Sequence, residues 1–222
     1  MFKKIIRSRF NCTVILIITL LYLTFSIIDI FINPRSLQAS YLKFASIVLC
    51  FALATNLYRK SGDKHDSKYV IVALFFTMIA DIFLLFNLSH FAGVFIFCIV
   101  QLIYIKRYNC HAFKFALVTI MLLPFIILFR PLNPLHILAG CYAILILTTF
   151  YTTFKVKLPH FNLKCIRLGM LLFILCDVHV ALYNLLSRSN PYHQIATVLM
   201  WTFYLPAQVL LAMSTYHARK SR

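Results

Sequence analysis

Two aspartates, Asp81 and Asp177, sit inside apolar runs of about twenty residues, in a chain with five acidic residues and no glutamate. The first run reads YVIVALFFTMIADIFLLFNL (Tyr69–Leu88) and the second LGMLLFILCDVHVALYNLL (Leu168–Leu186). A carboxyl group held at bilayer depth costs on the order of 2.5–3.5 kcal/mol on insertion scales, so its presence there calls for a function. Such a group can exchange a proton with a substrate, hold a cation in transit, or tie helices together through hydrogen bonds.

The elements that must position these carboxyls are helices. The composition is 62% hydrophobic with a mean hydropathy of +0.88, which excludes a soluble globular domain. Eight apolar segments stand out: Thr13–Ile32, Tyr41–Tyr58, Tyr69–Leu88, Phe91–Ile105, Phe113–Phe129, Pro134–Phe154, Leu168–Leu186 and Ile195–Thr215. They are uniformly apolar rather than alternating with period two, which argues against a barrel. The expected fold is an all-α integral membrane protein, with residues 1–222 forming one polytopic domain and eight transmembrane helices in a single bundle. Cutting the chain into four-helix halves echoes Ala80-Asp81 in Cys176-Asp177, a 4+4 parallel repeat.

The net charge of +17 invites a nucleic-acid reading, which its distribution defeats. Lys3, Lys4, Arg7 and Arg9 precede the first run, and Arg59, Lys60, Lys64 and Lys68 flank the 2–3 loop. Lys106, Arg107 and Lys114 flank the 4–5 connection, Lys155, Lys157, Lys164 and Arg167 the 6–7 connection, and Arg219, Lys220 and Arg222 close the chain. Only Arg35, Arg130 and Arg188 fall on the other side. By the positive-inside rule both termini are cytoplasmic and the protein is a multi-pass protein of the inner (cytoplasmic) membrane. Its basic loops are expected to meet anionic lipid headgroups. The first run is too long for a signal-peptide core and reads as a retained span. The seven cysteines are scattered, without a Cys-x-x-Cys pair, and read as small apolar residues.

Orientation allows depths to be compared. At 1.5 Å per residue, Asp81 and Asp177 lie roughly 10–14 Å below the outer boundary, and Gln101, Tyr142 and Tyr204 on inward-running helices reach the same level. Lys43 lies above that layer, and a cavity opening toward the outer leaflet is expected. Trp201, Tyr204 and Gln208 share one helical face, as do Gln101 and Tyr104, and Asn184 lies on the stripe of Asp177. His179 points about 200° away from Asp177 and is not its partner. Plainer readings exist for each: structural hydrogen bonding for the aspartates, packing for the tyrosines, and snorkelling for Lys43. Asp29 reads as interfacial, and Asp63 and Asp66 as solvated loop residues. His90, His136 and His193 gather near the outer boundary without ligand spacing, so no metal site is assigned.

These residues resemble a known family. Lys43-Phe44-Ala45-Ser46, ALFFTMIADIFLL around Asp81 and HFAGVFIFCIVQLIY (His90–Tyr104) resemble the first half of the YhhN-like membrane proteins, the lysoplasmalogenase family. CYAILIL around Tyr142, RLGMLLFILCDVHVAL around Asp177 and WTFYLPAQVLLAMS (Trp201–Ser214) resemble its second half, so the likeness runs from about residue 38 to 215. The family's usual Lys-Pro is Lys43-Phe44 here, its Gly-Asp is Ala80-Asp81, its Ser-Asp is Cys176-Asp177, and its His-x-x-Tyr is Gln101-Leu-Ile-Tyr104.

The resemblance implies hydrolysis of the vinyl ether of a lysoplasmalogen, giving a fatty aldehyde and a glycerophospho-alcohol, with no cofactor. Protonation of the vinyl β-carbon creates an oxocarbenium ion that water attacks. One carboxyl must therefore carry a proton, while another acceptor orients water or balances the cation. A low-dielectric interior favours a neutral carboxyl, and a neighbouring carboxylate favours it further. Glycosidases divide labour between two carboxyls in the same way. Asp81 and Asp177 are then the acid/base pair; Gln101, Tyr104, Tyr142, Tyr204 and Gln208 contact the lysophospholipid substrate or water, and Lys43 lies near its phosphate. Two alternatives stand beside this reading. One is a transporter or lipid-binding protein in which the aspartates relay protons, and the other a family member that binds lipid without hydrolysing it, motivated by Gln101.

Overall fold

The computed structural model describes residues 8–31, 36–108, 110–121, 133–187 and 190–217. These form α1 (Arg9–Phe31), α2 (Leu37–Lys60), α3 (Lys64–Leu85), α4 (His90–Tyr108), α5 (Cys110–Met121), α6 (Pro134–Thr152), α7 (His160–Leu185) and α8 (Pro191–Met213). Seven of them, all but α5, are long and apolar enough to cross a membrane. The protein is a multi-pass helical membrane protein. The second half of the predicted fifth span lies outside the described residues, as do Arg35, Arg130, Arg188 and both chain ends.

The helices outrun the apolar segments that announced them. The second begins at Leu37 rather than Tyr41, and α7 begins at His160 rather than Leu168, giving it 26 residues. At 1.5 Å per residue α7 is about 39 Å long, beyond the ~30 Å hydrocarbon core. Hydropathy marks the lipid-immersed part of a helix, whereas the backbone stays helical until a cap ends it. Ser36 caps α2 through the Ala39 amide and Asp63 caps α3 through the Asp66 amide. Asn133 and Asn190 cap α6 and α8, each followed by a proline at the first helical position. Asn87, with φ +53°, turns the chain between α3 and α4.

Each helix buries a stripe and gives the rest of its surface to lipid. On α1 the buried residues Asn11, Val14, Ile18, Phe25 and Asp29 fall on one face, while Leu16, Leu20, Leu23, Ile27 and Ile30 are exposed. Lipid is as apolar as leucine, so burial of apolar surface cannot by itself drive such helices together; close packing and interhelical polar contacts do. Asn56 donates to Asn11 at 2.6 Å, Tyr22 and Thr202 share a bond of 2.9 Å, and Lys43 pairs with Asp29 at 2.7 Å, tying α1 to α2 and α8.

The helix pairs close on themselves: α8 packs along α7 and against α1, α2 and α3, α3 pairs with α4, α4 with α6, and α6 with α7. Glycine makes two of these approaches close. A Cβ on Gly93 of α4 would stand 2.4 Å from a Leu84 methyl of α3, and one on Gly169 of α7 would stand 3.1 Å from Leu211 and 3.3 Å from the Ala207 carbonyl of α8. Both contacts lie beside the polar interior, next to Asp81 and Gln208 respectively.

Candidate active site

The two membrane aspartates are held in the same manner. Asp81 on α3 accepts a hydrogen bond of 2.8 Å from the Tyr204 hydroxyl on α8, and Asp177 on α7 accepts one of 2.7 Å from the Tyr142 hydroxyl on α6. Phe97 of α4 joins the two pairs: its ring centroid lies 6.2 Å from that of Tyr142 and 6.5 Å from that of Tyr204. Phe173 completes the cluster at 5.9 Å from Phe97 and 5.5 Å from Tyr204. The Cys176 thiol lies within electrostatic range of both carboxyls. Seven side chains from α3, α4, α6, α7 and α8 thus surround one layer of the bundle.

Gln101 and Gln208 lie one turn further along. Phe97 meets Tyr204, and Arg107 Nη1 donates to Ser214 Oγ at 3.0 Å, so α4 and α8 run parallel with a constant offset of 107 residues. Gln101 and Gln208 have that same offset between these two contacts and therefore stand level. Both are fully buried, and neither amide nitrogen nor oxygen has a hydrogen-bond partner among the described residues. The Tyr104 hydroxyl, also buried, is in the same condition. An unsatisfied buried polar group costs about 1–3 kcal/mol. Three such side chains in one stretch of interior mark a place suited to a hydroxyl-bearing guest or water.

Trp201 extends the cluster at its other side, with its ring 5.2 Å from Tyr204 and perpendicular to it. Lys43 Nζ stands over this indole at 5.4 Å and over Phe25 at 5.7 Å. Its ammonium contacts Asp29 at 2.7 and 2.9 Å, and both residues are buried. Asp29 is therefore shielded rather than exposed at its helix end, and Lys43 does not extend away into solvent: the acid and the base, each too costly to bury alone, are buried as a pair. Lys43 does lie next to the aspartate layer through Trp201, and a phosphate approaching it would share its charge with Asp29.

Asn184 is not part of the site; it is exposed and bonds the Val180 carbonyl of its own helix. His179 bonds Leu175 and packs on Phe203, apart from Asp177. At this layer the rings of Phe97 and Phe173 stand between Tyr142 and Tyr204. Among the described residues no group of three or more metal-ligating side chains gathers.

Sequence reasoning missed a second polar centre at the basic end. Asp66, expected in solvent, is buried and grips Arg107: Nε donates to Oδ1 at 2.9 Å and Nη2 to Oδ2 at 2.6 Å. His217 Nε2 meets the same Oδ2 at 2.7 Å. Around them Asn162 donates to the Ser214 and Tyr216 carbonyls, Ser67 to the Thr215 carbonyl, and Gly62 N–H to the His217 carbonyl. Helix periodicity carries no signal for this, because the partners come from five separate segments, and two of them, around Gly62 and over Ser214–His217, are not helical.

The family model described as the YhhN family matches residues 38–215, which takes in every residue of the aspartate layer and the basic-end cluster up to Thr215. No curated protein and no solved structure matches the chain.

Proposed function

Because the chain belongs to the YhhN family, we propose that it is a membrane-embedded hydrolase cleaving the vinyl ether of a lysoplasmalogen or a related lysolipid. The observation that carries this reading is a pair of carboxyls, buried at Asp81 and half-buried at Asp177, each bonded to one tyrosine and joined across Phe97. One of Asp81 and Asp177 delivers a proton to the vinyl β-carbon. The resulting oxocarbenium ion faces the other carboxylate, which takes a proton from the attacking water. The hemiacetal then collapses to a fatty aldehyde and the glycerophospho-alcohol, so one water is consumed and no net proton remains. Tyr204 and Tyr142 orient the carboxyls by donating to one oxygen of each, leaving the second oxygen to the reaction. Gln101, Gln208 and Tyr104 offer donors and acceptors to the glycerol hydroxyls or to water. In this reading the basic end is cytoplasmic.

The chemistry leaves an isotopic signature. Turnover of a 1-alkenyl lysophospholipid in D2O, read by mass spectrometry before enol exchange, should give aldehyde carrying one deuterium on the carbon beside the carbonyl. Products cut at the phosphate instead, with the vinyl ether intact, would exclude this mechanism. A second reading, lipid binding without hydrolysis, is favoured by the neutral amide at Gln101; aldehyde release by Gln101→His alone, absent from the unaltered protein, would establish it.

A further inference from the structure

A groove of about 490 Å³ runs along the surface between α3, α4 and α5, away from the aspartate layer. Its lining is sorted by height. At the basic end stand His65 and Lys68 of α3 and Lys106 of α4. Further in, Val72 on α3 and Ile99 and Leu102 on α4 make an apolar wall, closed on the third side by Phe113 of α5. Ile99 precedes Lys106 by seven residues and Val72 follows Lys68 by four, so the apolar part extends roughly 6–10 Å from the cations toward the membrane interior. The size falls within the range of small-molecule sites.

Charge in the groove is one-signed. No carboxylate is among its lining residues, and the nearby Asp66 is buried against Arg107 and His217. Lys106 is held by the Phe113 ring, 5.5 Å from its centroid, which fixes one cation at the mouth. His65 is likewise set against Tyr69, with ring centroids 5.4 Å apart. A cationic mouth at the membrane surface above an apolar slot that opens sideways to lipid is complementary to one class of molecule.

We propose that this groove is a binding site for an anionic phospholipid of the leaflet at the basic end, with the phosphate between Lys68 and Lys106 and part of one acyl chain along Val72, Ile99 and Leu102. The site is separate from the aspartate layer and holds a resident lipid, whatever the protein's reaction. A polybasic surface attracts anionic lipid at about fivefold per lysine without any groove, so the test must separate location from charge.

Native mass spectrometry of the purified full chain, titrated with phosphatidylglycerol or with phosphatidylcholine of the same chains, makes that separation. The unaltered protein should retain phosphatidylglycerol preferentially. K68S/K106S should weaken its binding about 25-fold, at about fivefold per lysine. K157S/K164S removes the same charge from exposed positions at the same end, outside the groove, and should weaken binding clearly less than K68S/K106S does. Ile99→Trp, which fills the slot with both lysines intact, should release the lipid. Equal loss in the two double variants, no preference for phosphatidylglycerol, or full retention by a folded I99W would overturn the proposal. The lysine pairs, all four at exposed positions, decide the matter if I99W does not fold.

Discussion

The polar side chains of this interior differ in how completely they are satisfied, and that difference sorts structure from chemistry. Lys43 and Asp29 neutralise one another at 2.7 Å in a buried site. Breaking such a pair leaves one charge stranded and costs about 3–5 kcal/mol, whereas removing both charges costs far less. Lys43→Met should therefore lower the thermal stability of the purified protein sharply, and adding Asp29→Asn should recover most of it; equal melting of the single and double variants would deny the pairing. Tyr204 is a different case. Its hydroxyl donates to Asp81, and Tyr204→Phe removes that donor while keeping the ring against Phe97, Phe173 and Trp201. Hydrogen bonds to charged groups contribute about 1.5–3 kcal/mol, so melting should fall moderately, and aldehyde release should fall about 10- to 100-fold as the carboxyl loses its fixed orientation. The aspartates, tyrosines and glutamines were legible in the sequence as polar residues in apolar runs. Their pairing was not: nothing in the spacing indicated that Tyr142 would take Asp177 and Tyr204 would take Asp81.

Helices place these groups by how closely they approach. At two glycines, Gly93 and Gly169, α3 meets α4 and α7 meets α8 so closely that an added Cβ would press on Leu84 and on Leu211. Gly169→Val would press on Leu211 and on the Ala207 carbonyl, one residue before Gln208. Overpacking of this kind costs about 1–3 kcal/mol, and here it should also shift the level at which Gln208 faces Gln101. The expected result is a lower melting temperature together with a fall in turnover larger than Gly140→Val produces, since a Cβ at Gly140 meets nothing within 4 Å. Indistinguishable turnover in the two variants would mean that the α7–α8 approach does not set the site. Seven of the eight expected spans were readable from hydropathy as long apolar helices. Helix ends were not, because capping by Ser36, Asp63, Asn133 and Asn190 is a local polar event to which an apolar average is blind. Pro206 adds a second element-scale feature. It lies inside α8 two residues after Tyr204 and, lacking an N–H, cannot bond the Thr202 carbonyl beside the aspartate layer.

Among the described residues the helices pack into one bundle, with buried polar contacts at several heights. At the basic end the segment from Ser214 to His217 is threaded among α2, α3, α4 and α7 by Arg107, Ser61, Ser67 and Asn162, fastening the last helix to the first half of the chain. Asp66 and Arg107 looked like ordinary loop charges in the sequence, since burial of a loop residue depends on which distant segment covers it. Deeper in, the two halves of the chain each supply one carboxyl and meet at Phe97, so neither half contains the layer alone. The central claim is that these two carboxyls act together on one lipid. Its most direct test is aldehyde release from a 1-alkenyl lysophospholipid by the purified protein and by Asp81→Asn and Asp177→Asn, with circular dichroism reporting the fold. General acid–base groups contribute about 10²–10⁴-fold, so each variant should lose at least about 100-fold in turnover while remaining helical. Aldehyde released at the unaltered rate by either folded variant would contradict the account.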